Sequence, residues 1–269
     1  MPSARTILFA VLCMATLAGS SLAEGLRVLA AGSLREVIGE IGDRYKQATG
    51  TAVATDFSSS GLLRERIETG EKADLFASAD MGNPLKLLAD GHAVRVDMFT
   101  RNTLCAFAAP KVGLTDANFI DRLLDPAVKL GTSTPKNDPS GDYSWLMFRK
   151  VDAIRPGAYA TLDRKAQKIV GRREPVSGDP VTDGLKSGTI DVMIGYCSGR
   201  ERLVKTAPDV ETVAVPQQIA AGPEYGLAIL KDADPRAEDL ALYMLSPEAQ
   251  QIFAKHGFAP IGLPTPEPQ

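Results

Sequence analysis

The sequence predicts an α/β fold with mostly parallel sheets. Short apolar runs alternate with longer amphipathic stretches along almost the whole chain, which is typical of strands that alternate with helices. Several of the apolar runs also end in Ser/Gly turns that lead into a helical pattern. The predicted strands cover residues 27–31, 52–57, 74–78, 104–108, 129–132, 190–196, 211–215 and 226–230.

The helices are predicted from apolar spacing and from the residues at helix ends. Residues 33–48 carry apolar side chains four positions apart on one face, and a glycine follows them. Ser33 and Glu36 have the spacing of a capping box, so we expect the Ser33 hydroxyl to cap this helix. Near the C-terminus, Ser246 and Pro247 predict a helix that begins with a serine cap and a proline in its first turn.

Residues 1–23 have the pattern of a secretory signal peptide. An arginine at position 5 precedes an uncharged apolar run over residues 7–18, and small residues then lead to Ala23 at an A-x-A-like cleavage site. The run is short for a membrane span, and no later segment reaches about eighteen consecutive apolar residues. We therefore expect a soluble protein that is exported to the periplasm and cleaved near Ala23 and Glu24.

Composition argues against several classes of function. The chain has 30 Lys+Arg against 33 Asp+Glu and no basic cluster, so nucleic acid is a poor candidate partner. Its 2 histidines do not form a His-x-x-x-His pair, which leaves no cage for zinc. A secreted serine hydrolase would need a Gly-x-Ser-x-Gly elbow and a histidine base, and no such elbow surrounds residues 58–61 or Ser140.

Three Ser/Gly turns predict an anion site built without cationic side chains. The turns cover residues 29–34, 55–62 and 138–143, and none contains Lys, Arg or His. Each turn precedes a helix, whose first backbone N–H groups lack partners within the helix and carry the positive end of its dipole. Ligands of open α/β sheets lie beyond the carboxyl ends of strands, where these turns are expected. Uncharged donors of this kind suit a fully ionised tetrahedral dianion.

Two further features add to this interpretation. Asp179 and Pro180 have the pattern of a fourth helix start, with Asp179 as its cap, and Tyr196 ends a predicted strand where its hydroxyl could reach a ligand. Taken alone, Tyr196 is better explained as a half-buried tyrosine whose hydroxyl is satisfied within the protein. A carboxylate among the donors would favour a protonated oxyanion such as phosphate instead, so Asp142 and Asp179 matter for selectivity.

Two cysteines, Cys105 and Cys197, remain after export. An even number in an oxidising compartment permits one disulfide, whereas two buried free thiols are the alternative. If the strands that carry them are neighbours in one sheet, their Cα atoms can approach to the about 4.4–6.8 Å that a disulfide requires. We hypothesise that this disulfide forms after export.

The turn sequences resemble those of the periplasmic molybdate-binding proteins of ABC importers. The resemblance rests on residues 30–34 (Ala-Ala-Gly-Ser-Leu), 57–62 (Phe-Ser-Ser-Ser-Gly-Leu), 73–80 (Ala-Asp-Leu-Phe-Ala-Ser-Ala-Asp) and the ending Gly257-Phe258. It implies a type II periplasmic binding protein fold with the oxyanion in a cleft between two α/β lobes. The implied first lobe covers residues 24–104, the second covers 105–229, and residues 230–269 return to the first.

The resemblance also implies a set of ligand-binding residues. Ser33 and Ser59 match serines that offer both hydroxyl and backbone N–H groups, Ser140 and Val181 match backbone N–H donors, and Tyr196 matches a tyrosine whose hydroxyl completes the shell. The implied protein is not an enzyme and has no cofactor. It has no bare-cation site, acts as a monomer, and delivers molybdate or tungstate to a membrane permease.

Other receptors stay open at this level. Tungstate cannot be distinguished from molybdate by sequence, and sulfate has the same charge and shape but a smaller size. A binding lobe that serves a sensor rather than a transporter is a further alternative. Ferric-ion receptors commonly use adjacent tyrosines, and the 6 tyrosines of this chain are never adjacent.

Overall fold

The structure, a computed structural model, describes residues 25–173 and 178–262. Its strands are β1 (Leu26–Ala31), β2 (Val53–Ser58), β3 (Leu75–Ser78), β4 (Ala93–Arg101), β5 (Leu104–Ala108), β6 (Leu130–Ser133), β7 (Gln167–Val170), β8 (Val192–Tyr196), β9 (Glu211–Ala214) and β10 (Glu224–Leu230). Its helices are α1 (Arg35–Thr49), α2 (Ser60–Glu68), α3 (Gly82–Ala89), α4 (Phe119–Leu124), α5 (Pro139–Ile154), α6 (Ala158–Lys165), α7 (Pro180–Ser187), α8 (Arg200–Thr206), α9 (Arg236–Met244) and α10 (Pro247–Lys255). The predicted signal peptide lies outside the described residues.

The strands form two separate 5-stranded sheets, ordered β2-β1-β3-β10-β4 and β7-β6-β8-β5-β9. In the first sheet, β1 pairs in parallel with β2 and β3, whereas β10 is antiparallel to both β3 and β4. In the second sheet, β6 is parallel to β7 and β8, and β5 is antiparallel to β8 and β9. One strand in each sheet therefore runs against the others, and the prediction of an α/β fold with mostly parallel sheets is confirmed.

The chain crosses between the two sheets twice. The first crossing lies between β4 and β5, close to the predicted lobe boundary at residue 104. The second crossing covers residues 215–223, earlier than the predicted boundary at residue 229, because β10 belongs to the first sheet. β10 is an apolar strand like those of the second lobe, so its sequence carried no sign of the sheet in which it pairs. Helices α9 and α10 then pack against α1 in the first lobe.

Two of the predicted helix ends are confirmed, and one predicted cap is wrong. The Ser246 hydroxyl accepts from the Ala249 N–H at the start of α10, and Gly50 ends α1 with a φ of 78°, so both predicted ends are confirmed. The capping box at Ser33 is wrong, because residues Gly32–Leu34 form a 3-10 turn and α1 begins without a side-chain cap. The Ser33 hydroxyl bonds elsewhere.

Two strands were not predicted, and both lie at sheet edges. β4 carries Arg95 and Asp97, whose side chains form an ion pair at 2.8 Å, and β7 begins with the polar Gln167 and Lys168. Edge strands tolerate charged and polar side chains, which interrupt the apolar run that marks a central strand. Within the residues that the structure describes, no helix is both long enough and apolar enough to cross a membrane.

Candidate functional site

The candidate site is a cavity of about 570 Å³ between the two lobes. The first residues of α2, α5 and α7 and the 3-10 turn Gly32–Leu34 contribute to its lining, so several helix N-termini meet there. All five residues predicted to bind the ligand line the cavity, namely Ser33, Ser59, Ser140, Val181 and Tyr196. Their role as ligand-binding residues stays a prediction, but the fold brings them together from both lobes.

Ser33 lies at the end of a hydrogen-bond relay that the sequence did not reveal. The side-chain oxygen Oδ1 of Asn102 accepts from the Thr103 N–H at 2.9 Å, which fixes the amide so that its Nδ2 donates to the Tyr225 hydroxyl at 3.2 Å. The Tyr225 and Ser33 hydroxyls are 3.0 Å apart. Because Tyr225 accepts from Asn102, it can donate its own proton to Ser33. The Ser33 proton is then left to donate into the cavity.

Asp138 introduces a carboxylate into the site. Its Oδ2 accepts from the Ser59 hydroxyl at 3.1 Å, and its Oδ1 accepts from the Ser140 N–H at 2.9 Å. Asp138 is the N-cap of α5, and this role explains the bond to Ser140. Asp142 and Asp179 were the carboxylates expected near the donors, whereas Asp138 was not predicted to lie there.

The two predicted backbone donors are already engaged in this structure. The Ser140 N–H donates to Asp138, and the Val181 N–H donates to Asp179 Oδ1 at 3.2 Å. Each group is bonded to the aspartate two residues earlier, and the expectation that both donate to the ligand stays a prediction. The predicted cap at Asp179 is confirmed. In compensation, the Ser140 hydroxyl is buried without a hydrogen-bond partner, so it can donate to a ligand where the backbone does not.

Tyr196 spans the cleft. Its hydroxyl donates to the carbonyl of Ala79, in the other lobe, at 3.3 Å, and its ring centroid lies 5.6 Å from that of Tyr225. Burial raises the pKa of Tyr196 well above its ordinary value, so the hydroxyl keeps its proton at physiological pH. It can act only as an uncharged donor or acceptor there.

Three carboxyl groups with raised pKa values set the electrostatics of the inner site. The pKa of Asp138 is raised to about 6, chiefly by burial and also by the neighbouring carboxylates of Asp142 and Asp80, against the hydrogen bonds from Ser140 and Ser59. Burial likewise raises the pKa of Asp80 and of Asp142. Cationic side chains line other parts of the same cavity, namely Arg35, Arg172, Arg202 and Lys205.

Direct contacts hold the lobes together around the cavity. The Gly61 N–H donates to the Asn137 carbonyl at 2.9 Å, and a Cβ at Gly61 would lie 2.3 Å from the Lys136 carbonyl oxygen. Arg173 bridges to both carboxylate oxygens of Glu65 at 2.8 Å. The two lobes are therefore in a closed arrangement.

A disulfide joins Cys105 and Cys197, whose Cα atoms are 4.9 Å apart. Cys105 lies in β5 and Cys197 directly follows β8, and these strands are neighbours in the second sheet. The crosslink lies one residue beyond Tyr196, so it restrains the backbone that carries this hydroxyl. Across residues 25–173 and 178–262, no cluster of His, Cys, Asp and Glu has the arrangement of a metal-ion site.

Comparison with known proteins places the chain in a family. The family model of the bacterial extracellular solute-binding proteins matches residues 26–259. An uncharacterised protein of Pasteurella multocida is 32% identical over 241 residues, which cover 87% of this chain and 98% of that protein. The molybdate-binding protein ModA of Escherichia coli is 29% identical over 256 residues, or 90% of this chain and 92% of ModA. The solved sulfate-binding protein SubI of Mycobacterium tuberculosis superimposes with a TM-score of 0.72 at 20% identity, covering 88% of this chain and 87% of SubI.

Two α/β lobes closed around a cavity with hydroxyl groups from both lobes define a receptor for a small solute, with the fold of the periplasmic binding proteins. The family match is the more specific finding, since it covers nearly all of the described residues. This chain belongs to the bacterial extracellular solute-binding proteins.

Proposed function

We propose that this protein captures a tetrahedral oxyanion, molybdate or tungstate, and delivers it to the membrane permease of an ABC importer. The observation that carries the proposal is the donor set of the cavity, in which hydroxyls from both lobes meet at helix N-termini. Ser33 and Ser59 come from the first lobe, and Ser140 and Tyr196 from the second. Donors without charge hold a dianion through dipoles, and helix N-termini supply a positive potential. The similarity to ModA supports molybdate in particular.

The proposal assigns the protein to the periplasm, as a monomer without catalytic activity or a cofactor. Membership in an extracellular solute-binding family supports export, and the signal-peptide pattern of residues 1–23 supports cleavage before Glu24. A sensor that uses the same lobes would bind the same ligand. Uptake of oxyanion by vesicles that contain the permease distinguishes a transporter component from a sensor component.

Isothermal titration calorimetry tests the choice of ligand. The mature protein should bind molybdate and tungstate tightly, and sulfate and phosphate much more weakly. Ser59→Ala should weaken molybdate binding about tenfold to a hundredfold, because a hydrogen bond to a charged group is worth about 1.5–3 kcal/mol. Ser58→Ala is the matched control and should have little effect. A sulfate affinity equal to that for molybdate would overturn the assignment while leaving the fold intact.

The size of the cavity supports a second candidate, an oxyanion attached to a small organic group. A volume of about 570 Å³ is within the range of small-molecule pockets and is large for a five-atom ion. Phe57 and Ile169 add apolar surface to the lining beside the cations. Including a phosphate monoester in the calorimetric panel separates the two candidates, since only the second predicts that it binds more tightly than molybdate.

A further inference from the structure

Asp138 is a carboxyl group in the middle of a site that otherwise offers donors. Both of its oxygens accept bonds from residues of the predicted donor set, Ser59 at 3.1 Å and Ser140 at 2.9 Å. Gly171, with a φ of +71°, covers the group so closely that a Cβ there would lie 2.7 Å from Asp138 Cβ and 3.2 Å from Ser59 Oγ. The carboxyl is therefore enclosed beside the hydroxyls that are proposed to hold the oxyanion.

The groups around Asp138 do not neutralise an ionised carboxylate. Asp142, on the same helix, and Asp80, at the end of β3, add negative potential. The phenols of Tyr143, Tyr196 and Tyr225 also lie in this region, and burial raises the pKa of each, so they remain uncharged. Within the described part of the chain, no Lys or Arg forms an ion pair with Asp138; of the cations that line the cavity, Arg202 pairs with Asp179 at 3.5 Å and Lys205 with Glu201 at 3.0 Å.

A dianion held by Ser59 and Ser140 would lie beside the Asp138 carboxyl. If that carboxyl were ionised, the two negative charges would repel each other strongly, because little water is present to screen them. A neutral carboxyl has the opposite effect. It keeps one oxygen as an acceptor for the Ser140 N–H and gains an O–H donor that the bound anion can use. The ionised Asp138 carboxylate therefore repels the dianion, whereas the protonated Asp138 carboxyl can donate a hydrogen bond to it.

We propose that Asp138 couples oxyanion binding to the uptake of one proton, so that the dianion is bound together with a protonated Asp138 carboxyl. The proposal rests on the proposed function, since it takes a fully ionised oxyanion as the ligand. The proton comes from solvent onto one carboxylate oxygen, and no other bond forms or breaks. An oxyanion that carries its own proton, such as hydrogen phosphate, can donate that proton to the carboxylate and needs no uptake. The affinity for phosphate, which is the weaker ligand, should therefore depend less on pH than the affinity for molybdate.

The size of the effect follows from linkage. With a pKa of about 6 for Asp138 in the empty site, the fraction of receptor that is ready to bind falls about 50-fold between pH 6 and pH 8. Molybdate affinity should fall by the same factor. Asp138→Asn should remove this dependence, because the amide keeps an acceptor for the Ser140 N–H, supplies donors to the anion and does not titrate. Asparagine is also a good N-cap for α5.

Calorimetry with molybdate from pH 6 to pH 8, in two buffers of different ionisation enthalpy, tests the proposal on the mature protein. We expect affinity to fall about 50-fold for the wild type, with uptake of close to one proton at pH 8, and a flat profile without uptake for Asp138→Asn. Asp142→Asn is the control. It removes a nearby charge outside the donor set and should keep the pH dependence, with its midpoint moved to lower pH.

The outcomes separate the two proposals. Tight molybdate binding by the wild type with a flat profile and no proton uptake would overturn the role of Asp138 and leave the proposed function standing. The same would follow if Asp138→Asn kept the full pH dependence. Failure of the folded wild type to bind molybdate or tungstate at any pH would overturn the proposed function and this inference with it. Should Asp138→Asn not fold, the wild-type profile and proton count still decide the matter.

Discussion

Ser33→Ala tests the best-defined donor of the site. The substitution removes the hydroxyl that the Asn102–Tyr225 relay leaves free to donate, while the backbone N–H of residue 33 remains. Loss of one hydrogen bond to a charged ligand is worth about 1.5–3 kcal/mol, so molybdate affinity should fall about tenfold to a hundredfold. The variant also deprives the buried Tyr225 hydroxyl of a partner, and this should lower the melting temperature of the empty protein.

Tyr225→Phe tests whether Tyr225 acts by orienting the Ser33 hydroxyl and not by contacting the ligand itself. The ring should keep its edge contacts with Phe99 and Phe258, whose centroids lie 6.2 and 5.5 Å away, and only the relay is lost. We expect affinity to fall about twofold to tenfold, since Ser33 keeps its hydroxyl but not the bond that orients it. In a Ser33→Ala background the same change should leave affinity unaltered, because Tyr225 acts only through Ser33.

A double-mutant cycle measured by calorimetry at one pH provides the assay, with thermal denaturation in parallel to confirm folding. Equal effects of Tyr225→Phe in both backgrounds would refute the relay. An unchanged affinity in Ser33→Ala would refute the assignment of Ser33 as a donor. Ser58→Ala again supplies the control, because Ser58 lines the same cavity and its hydroxyl takes part in neither the relay nor the bonds to Asp138.

Three further predictions concern closure, crosslinking and stability. Solution scattering should show a smaller radius of gyration with molybdate than without, because the anion meets donors of both lobes only in the closed form; an equal radius would indicate a receptor that is closed when empty. The denatured, unreduced mature protein should contain no titratable thiol, and Cys105→Ser should lower stability by up to about 4–5 kcal/mol; two free thiols would contradict the disulfide. Asp138→Asn should stabilise the empty protein at pH 7.5 by about 3 kcal/mol at most. The sign follows because a carboxyl whose pKa is raised in the folded state binds more protons than the unfolded chain between pH 4 and 6, so stability falls as pH rises. Below about pH 4 both states are protonated and the variant should gain nothing, and a gain that persists at pH 3 would point to packing instead.

The strand-and-turn pattern was sufficient to predict the fold and the edge of the sheets that carries the site. Ser33, Ser59 and Ser140, which line the cavity, could be proposed because a serine in a turn after an apolar strand is a local signal, readable within about six residues. The edge strands β4 and β7 were not predicted because charged and polar residues interrupt their apolar pattern. The second lobe boundary was predicted too far along the chain, because a buried strand has the same apolar pattern in either sheet.

What the sequence determined by itself is the local chemistry: α/β alternation, uncharged helix starts, and caps such as Asp179 and Ser246. What only the tertiary structure decided is which groups meet. Asp138 reaches Ser59 across 79 residues of chain, and Tyr225 reaches Ser33 across 192. Both bonds join elements that are brought together only by the packing of the lobes and sheets. Periodicity along the chain indicates the backbone conformation of each element but not which elements are neighbours, so neither bond could be predicted from it. The helix starts could therefore be predicted, whereas the carboxyl placed among their donors could not.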